Sequence, residues 1–77
     1  MKKRERDQAH TDWLVMVGHR LKDIRKARGY TYTVVTENTG VPRGPLTEIE
    51  KGEREPSLRV MWKLCRWYGV SVDEIIN

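Results

Sequence analysis

The chain predicts an all-α fold, a compact bundle of five helices, and three observations carry that prediction. Apolar residues recur at three and four residue steps in two long stretches, the spacing of one helix face. Between and after these stretches, glycines and prolines divide the chain into pieces the length of short helices. Only one run, Thr31–Thr36, has the composition of a strand, and no second run exists to pair with it. The 77 residues suit one domain with a single modest core.

The first ten residues, MKKRERDQAH, are polar, charged and without apolar period, so they predict a mobile basic arm, or one fraying into the first helix, preceding a domain over 11–77. Thr11 or Asp12 is placed to cap the first helix, in which Leu14, Val17, Leu21 and Ile24 share one face and which stops at Gly29. The disputed stretch follows. A lone strand at 31–36 has nowhere to send its backbone hydrogen bonds, whereas a helix satisfies its own. Five β-branched residues cost a helix roughly 2 to 3 kcal/mol against alanine, which burial of one face can offset. The segment therefore predicts a second helix, capped at Thr31, with Val35 and Thr39 on its inner face and Tyr32 and Thr36 beside them.

Gly40, Val41 and Pro42 make a turn, and a third helix spans Arg43–Lys51 with Pro45 in its first turn, where the missing N–H costs nothing. Leu46 and Ile49 face inward and Gly52 ends it. After the charged loop EREP, Ser57 caps a fourth helix with the inward stripe Leu58, Met61, Leu64, Cys65 and Tyr68, stopped by Gly69. Ser71 and Glu74 form a capping box for a short fifth helix that docks through Ile75 and Ile76.

Composition narrows the function. The single Cys65 forms no internal disulfide, and His10 and His19 lack zinc spacing, so no metal is expected. The longest apolar run, Leu14–Val17, is too short to cross a membrane, and the basic start lacks an apolar segment behind it, so the chain reads as cytoplasmic with no membrane partner. There is no nucleophile beside a base, no metal set and no phosphate-cradling glycine loop, which argues against an enzyme and against a cofactor. The net charge of +4 points to a polyanionic partner, but its distribution matters more. Residues 1–30 carry nine Lys or Arg against four acids, residues 31–56 three against five, and residues 57–77 three against two. The middle is acidic.

Helix, glycine-containing turn and helix over Thr31–Lys51 is the helix-turn-helix arrangement. With VGHRLKDIRKARG before it, Gly40 and Val41 within it, and IEKGEREPS and LCRWYGVSVDEII after it, the chain resembles the Cro and phage-repressor type helix-turn-helix family (XRE family, Cro/C1-type) over roughly residues 17–76. The resemblance implies a repressor-like five-helix bundle that binds double-stranded DNA, with helices two and three as the helix-turn-helix. It implies an ion pair between Arg25 and Glu50 and base contacts from the early outer positions of helix three, Arg43, Gly44, Thr47 and Glu48. Chemistry then assigns what each can read. Arg43 can bond bidentately to guanine, Thr47 can meet thymine, and Glu48 can accept only from a donor such as cytosine N4, unless it is a surface charge bridging to Arg43 or Lys51. Gly44 permits close approach of the backbone.

Phosphate contacts are expected from Thr31, Tyr32, Thr33, Lys51 and Arg54, with Lys2, Lys3, Arg4 and Arg6 following the DNA backbone as an arm. Family members place a glutamine where Tyr32 stands, so its hydroxyl is the candidate replacement. Apolar residues in excess of one buried face, Trp13, Val15, Met16, Val60, Trp62 and Trp67, suggest a contact surface. The expected dimer forms through helices four and five, with Trp67, Val72 and Ile76 as the contact group. Two functions compete. One is a transcriptional regulator, a repressor acting as a homodimer on a pseudo-palindromic operator; the other is an antitoxin or adaptor that binds a protein partner, with DNA binding secondary.

Overall fold

Lys, Arg, Glu, Gln and Ala are good helix formers even where no apolar stripe accompanies them, and the first helix uses them to extend beyond its buried face. The computed structural model describes the backbone from Lys2 to Asn77 and the side chains from Gln8 onward. Helix α1 covers Lys2–Ala27, so it does not begin at Thr11 or Asp12, and the segment read as an arm is helical from Lys2. The side chains of Lys2, Lys3, Arg4 and Arg6 lie outside the described residues. At the near end of that segment His10 stacks on Trp13 at 6.0 Å and meets Glu55 Oε1 at 3.0 Å, across 45 residues of chain.

The remaining helices are α2, Tyr32–Thr39; α3, Arg43–Glu50; α4, Leu58–Tyr68; and α5, Val72–Ile76. The strand-like stretch is indeed helix. Thr31 is extended and its Oγ1 accepts from the Val34 N–H at 3.2 Å, supplying one of the partners a helix start lacks. Inside α2 the polar β-branched Thr39 donates its hydroxyl to the Val35 carbonyl at 2.7 Å and accepts from the Val41 N–H at 3.1 Å, which ties the helix to its turn. Gly40 closes α2 at φ 78°, a left-handed conformation that a side chain disfavours. Val35 is fully buried, and burying that face offsets the poor propensity of its neighbours.

The core gathers Val17 and Leu21 from α1, Val35 from α2, Leu46 and Ile49 from α3, Leu64 and Tyr68 from α4, and Ile75 from α5. Helices α1 and α3 cross closely at Gly18. A Cβ there would lie 2.3 Å from the Ile49 carbonyl oxygen and 2.8 Å from that of Glu50, so only glycine lets the two backbones approach. Ser57 caps α4 by accepting from the Val60 N–H, and Ser71 and Glu74 complete the capping box of α5. Helix α5 is held further by Arg20, whose Nη1 donates to the carbonyls of Ile75 at 3.0 Å and Asn77 at 2.8 Å.

One member of the α4 stripe departs. Leu58, on the first turn of α4, is 80% exposed and lines a groove with Trp62 and Val72. Among the described residues no helix is long and apolar enough to cross a membrane.

Candidate nucleic-acid interface

Helix α3 joins two chemistries. Toward the core, its last residue Glu50 is 2% exposed, and a carboxylate so placed is strongly destabilising unless matched. Arg25 of α1 matches it with two bonds, Nε to Oε2 at 2.8 Å and Nη2 to Oε1 at 3.0 Å, the fork-to-fork geometry that fixes angle as well as charge. Its remaining Nη1 donates to the Tyr30 carbonyl at 2.9 Å, anchoring the α1 to α2 connection. The bond to Glu50 raises the Arg25 pKa, against an opposing effect of burial.

Tyr32, the first residue of α2, joins this pair. Its hydroxyl donates to Glu50 Oε1 at 3.2 Å, and its half-buried ring lies 4.2 Å from the Arg25 guanidinium carbon. The expected phosphate contact by that hydroxyl is therefore corrected: the hydroxyl points inward, because the buried carboxylate offers it a charged acceptor. Burial, then the negative charge of Glu50, pushes the Tyr32 phenol above its ordinary value, so it remains a donor.

On the outer side Arg43 and Gly44 are exposed, and Thr47 and Glu48 are half-buried. Pro42 precedes α3 without a side-chain cap, which leaves this end of the helix uncovered. Thr47 donates its hydroxyl to the Arg43 carbonyl at 2.7 Å, one turn back. Glu48 accepts from Arg54 Nε at 2.6 Å; its partner is neither Arg43 nor Lys51. Both members of that pair are half-exposed, and Lys51 is exposed at the end of α3. Thr31 and Thr33 are exposed at the start of α2. The guanidinium carbon of Arg43 stands 5.4 Å from the centre of the Tyr32 ring.

Three of the five acids in the middle of the chain have a side-chain partner within the fold. Glu50 lies against Arg25, Glu48 against Arg54 and Glu55 against His10, while Glu37 and Glu53 are exposed. Of these contacts, the one that brings a permanent positive charge from outside residues 31–56 is that of Arg25 to Glu50.

The predicted contact group, Trp67, Val72 and Ile76, is packed in part against the core. Trp67 is half-buried, packed against the core and stacked on Tyr30 at 4.4 Å. Trp13 likewise turns inward, donating its indole N–H to the Ile76 carbonyl at 3.1 Å. Val72 and Ile76 are half-buried. The large apolar side chains that remain exposed on α4 are Leu58 and Trp62, 80% and 51% accessible, in a groove with Val72 rimmed by Arg59 and Lys63. Sequence reasoning placed Leu58 in the core because its spacing continued the stripe; periodicity carries no signal of where along a helix burial stops.

A family model described as a helix-turn-helix domain matches residues 17–75. The HTH-type transcriptional regulator SinR of Bacillus licheniformis is 33% identical over 63 residues, which cover 80% of this chain and 57% of SinR. The cryptic phage CTXphi transcriptional repressor RstR of Vibrio cholerae is 29% identical over 62 residues, covering 80% of this chain and 56% of RstR. The chain spans little more than half the length of these curated relatives. Among solved structures, the restriction-modification controller protein C.AhdI of Aeromonas hydrophila superposes with a TM-score of 0.76 at 29% identity, over 80% of this chain and 94% of that one. The relatives bear the names of regulators rather than enzymes, in agreement with the non-enzymatic reading.

Proposed function

We propose, for a chain that belongs to the Cro and phage-repressor type helix-turn-helix family, that it binds double-stranded DNA in a sequence-dependent manner and regulates transcription as a repressor. The observation that carries this is the pose of α3. Its inner face is clamped by the Arg25–Glu50 pair while Arg43, Gly44, Thr47 and Glu48 remain on its outer side. A helix held rigidly from behind and uncovered in front is what insertion into the major groove requires. Arg43 reads a guanine, the Thr47 methyl meets a thymine methyl, Gly44 allows close approach, and Glu48, already accepting from Arg54, takes a cytosine amino group on its free oxygen. Thr31, Thr33, Lys51 and Arg54 fix register on the phosphates.

A two-fold dimer through α4 and α5 places two copies of α3 on half-sites about one helical turn apart, hence a pseudo-palindromic operator. Trp67, Val72 and Ile76 are its contact group, with the exposed Leu58 and Trp62 in the groove that Val72 also lines. Selection of bound duplexes from random DNA, followed by a salt titration, tests the whole reading. The expected winner is a pseudo-palindrome whose affinity falls steeply with salt, and Arg43→Ala relaxes preference at one base pair per half-site. Enrichment of no sequence would falsify it. Sedimentation showing monomer alone at micromolar concentration removes the dimer.

A second reading, an antitoxin or adaptor whose fold masks a protein partner, is favoured by the exposure of Leu58 and Trp62. Tight association with a partner, abolished by Trp62→Ala, together with failure to select any DNA, would establish it over the first.

A further inference from the structure

Arg43 is an exposed, long and flexible side chain at the first position of α3, and such a group loses rotamer freedom when it docks on a base edge. Beside it stands a ring held at two points. Tyr32 is fixed at its hydroxyl by Glu50 at 3.2 Å and along its body by the Arg25 guanidinium at 4.2 Å, and both partners belong to the buried ion pair. The Arg43 guanidinium carbon lies 5.4 Å from the same ring, within the range at which an aromatic face attracts a cation. Two cations on one ring ordinarily repel. Here the charge of Arg25 is cancelled by two direct bonds to Glu50, so the ring remains attractive to Arg43.

Resting on the DNA-binding reading above, we infer that Tyr32 is the positioning residue for Arg43: its ring is a platform, anchored to the Arg25–Glu50 pair, that holds the guanidinium in its base-reading orientation. Tyr32 touches no base in this role. It acts by narrowing the conformations Arg43 samples before DNA arrives, and it links a buried ion pair to the discrimination of one base pair. The ring supplies the platform and the hydroxyl only anchors it, so a phenylalanine retains most of the effect and an aliphatic side chain does not.

The test compares the full chain with Tyr32→Phe, Tyr32→Leu, Arg43→Ala and the Tyr32→Leu, Arg43→Ala double variant, each confirmed as folded by circular dichroism and thermal melting. In DNA selection, Tyr32→Leu should weaken binding to the preferred site by roughly twofold to fivefold, the range of an exposed cation–π contact. That loss should fall on the base pair that Arg43→Ala relaxes, and the double variant should lose no more than Arg43→Ala alone. Tyr32→Phe should keep the preference. Independently of DNA, the Arg43 side-chain protons should show a ring-current shift by NMR in the wild type and in Tyr32→Phe, and lose it in Tyr32→Leu. Absence of that shift in the wild type overturns the platform. If Arg43→Ala relaxes one base pair while Tyr32→Leu leaves it unchanged or weakens all sequences equally, the positioning role falls and the DNA reading stands. If the wild type enriches no sequence, both fall.

Discussion

On the inner face of α3, Leu46, Ile49 and Glu50 are buried, and the Glu50 carboxylate meets three donors from two other helices. On the outer side, Arg43 and Gly44 are exposed, Thr47 bonds only its own helix, and Glu48 has one partner from the following loop. The same eight residues thus meet opposite demands. Where water is excluded, every polar group must be matched and the match fixes geometry; where water remains, side chains keep unused bonding capacity, which is what recognition needs. Stability should therefore respond to substitutions on the inner face and specificity to those on the outer.

The strongest way to break this contrast is Arg25→Ala. It leaves the buried Glu50 with the Tyr32 hydroxyl alone and should cost about 3 to 5 kcal/mol in thermal or denaturant unfolding. A loss no larger than that of a surface substitution would show that water reaches the carboxylate. Gly18→Ala should follow at about 1 to 3 kcal/mol, since its methyl meets the backbone of α3, which can yield only by moving the helix. If the variant melts with the wild type, the close crossing of α1 and α3 is wrong.

Arg43→Ala sharpens the contrast from the other side. It should change unfolding by less than about 0.5 kcal/mol, as surface substitutions do, yet remove about 1 to 3 kcal/mol of discrimination at one base pair, measured by competition between duplexes differing there.

The smallest effect is expected at Tyr68, behind the inner face, whose buried hydroxyl has no partner among the described residues. Tyr68→Phe should be neutral or stabilising by up to about 1 kcal/mol, because removing an unpartnered buried hydroxyl relieves its desolvation. The pH dependence follows from the same burial. Desolvation first, then the Glu50 charge, raises the Tyr68 phenol well above its ordinary value. As pH rises through about 10 the unfolded chain releases this proton while the folded chain retains it, so stability falls in that range. Tyr32, raised in the same direction, adds to the loss. Melting curves across the alkaline range should show a shallower decline in Tyr68→Phe than in the wild type.

Local chemistry made much of the fold legible. Thr31, Ser57 and Ser71 cap the helices they were expected to cap, and the stripes through Val17 and Leu21 and through Met61, Leu64 and Tyr68 are buried. These rest on interactions within a few residues, where spacing and geometry are nearly the same thing. Residues at the limits of a pattern were less legible. Leu58 continues a stripe and lies in solvent, while the run before Thr11 has no stripe and is helix. The proximity of Arg25 and Glu50 followed from family resemblance rather than from the residues themselves, since nothing local distinguishes that arginine from Arg28.

The sequence by itself determined five helices, the caps of α2, α4 and α5, the breaks between the helices, and a turn of the right length between α2 and α3, because each depends on backbone hydrogen bonds and propensities settled over a turn or two. Only the tertiary structure decided which way Tyr32 faces, that Gly18 is the point where two backbones meet, that Trp67 stacks on Tyr30, and that Arg54 rather than Lys51 holds Glu48. Those outcomes depend on atoms distant in sequence competing for one partner. A tyrosine beside a solvated helix end turns to a phosphate or to water; beside a buried carboxylate it turns inward, and the carboxylate is 18 residues away.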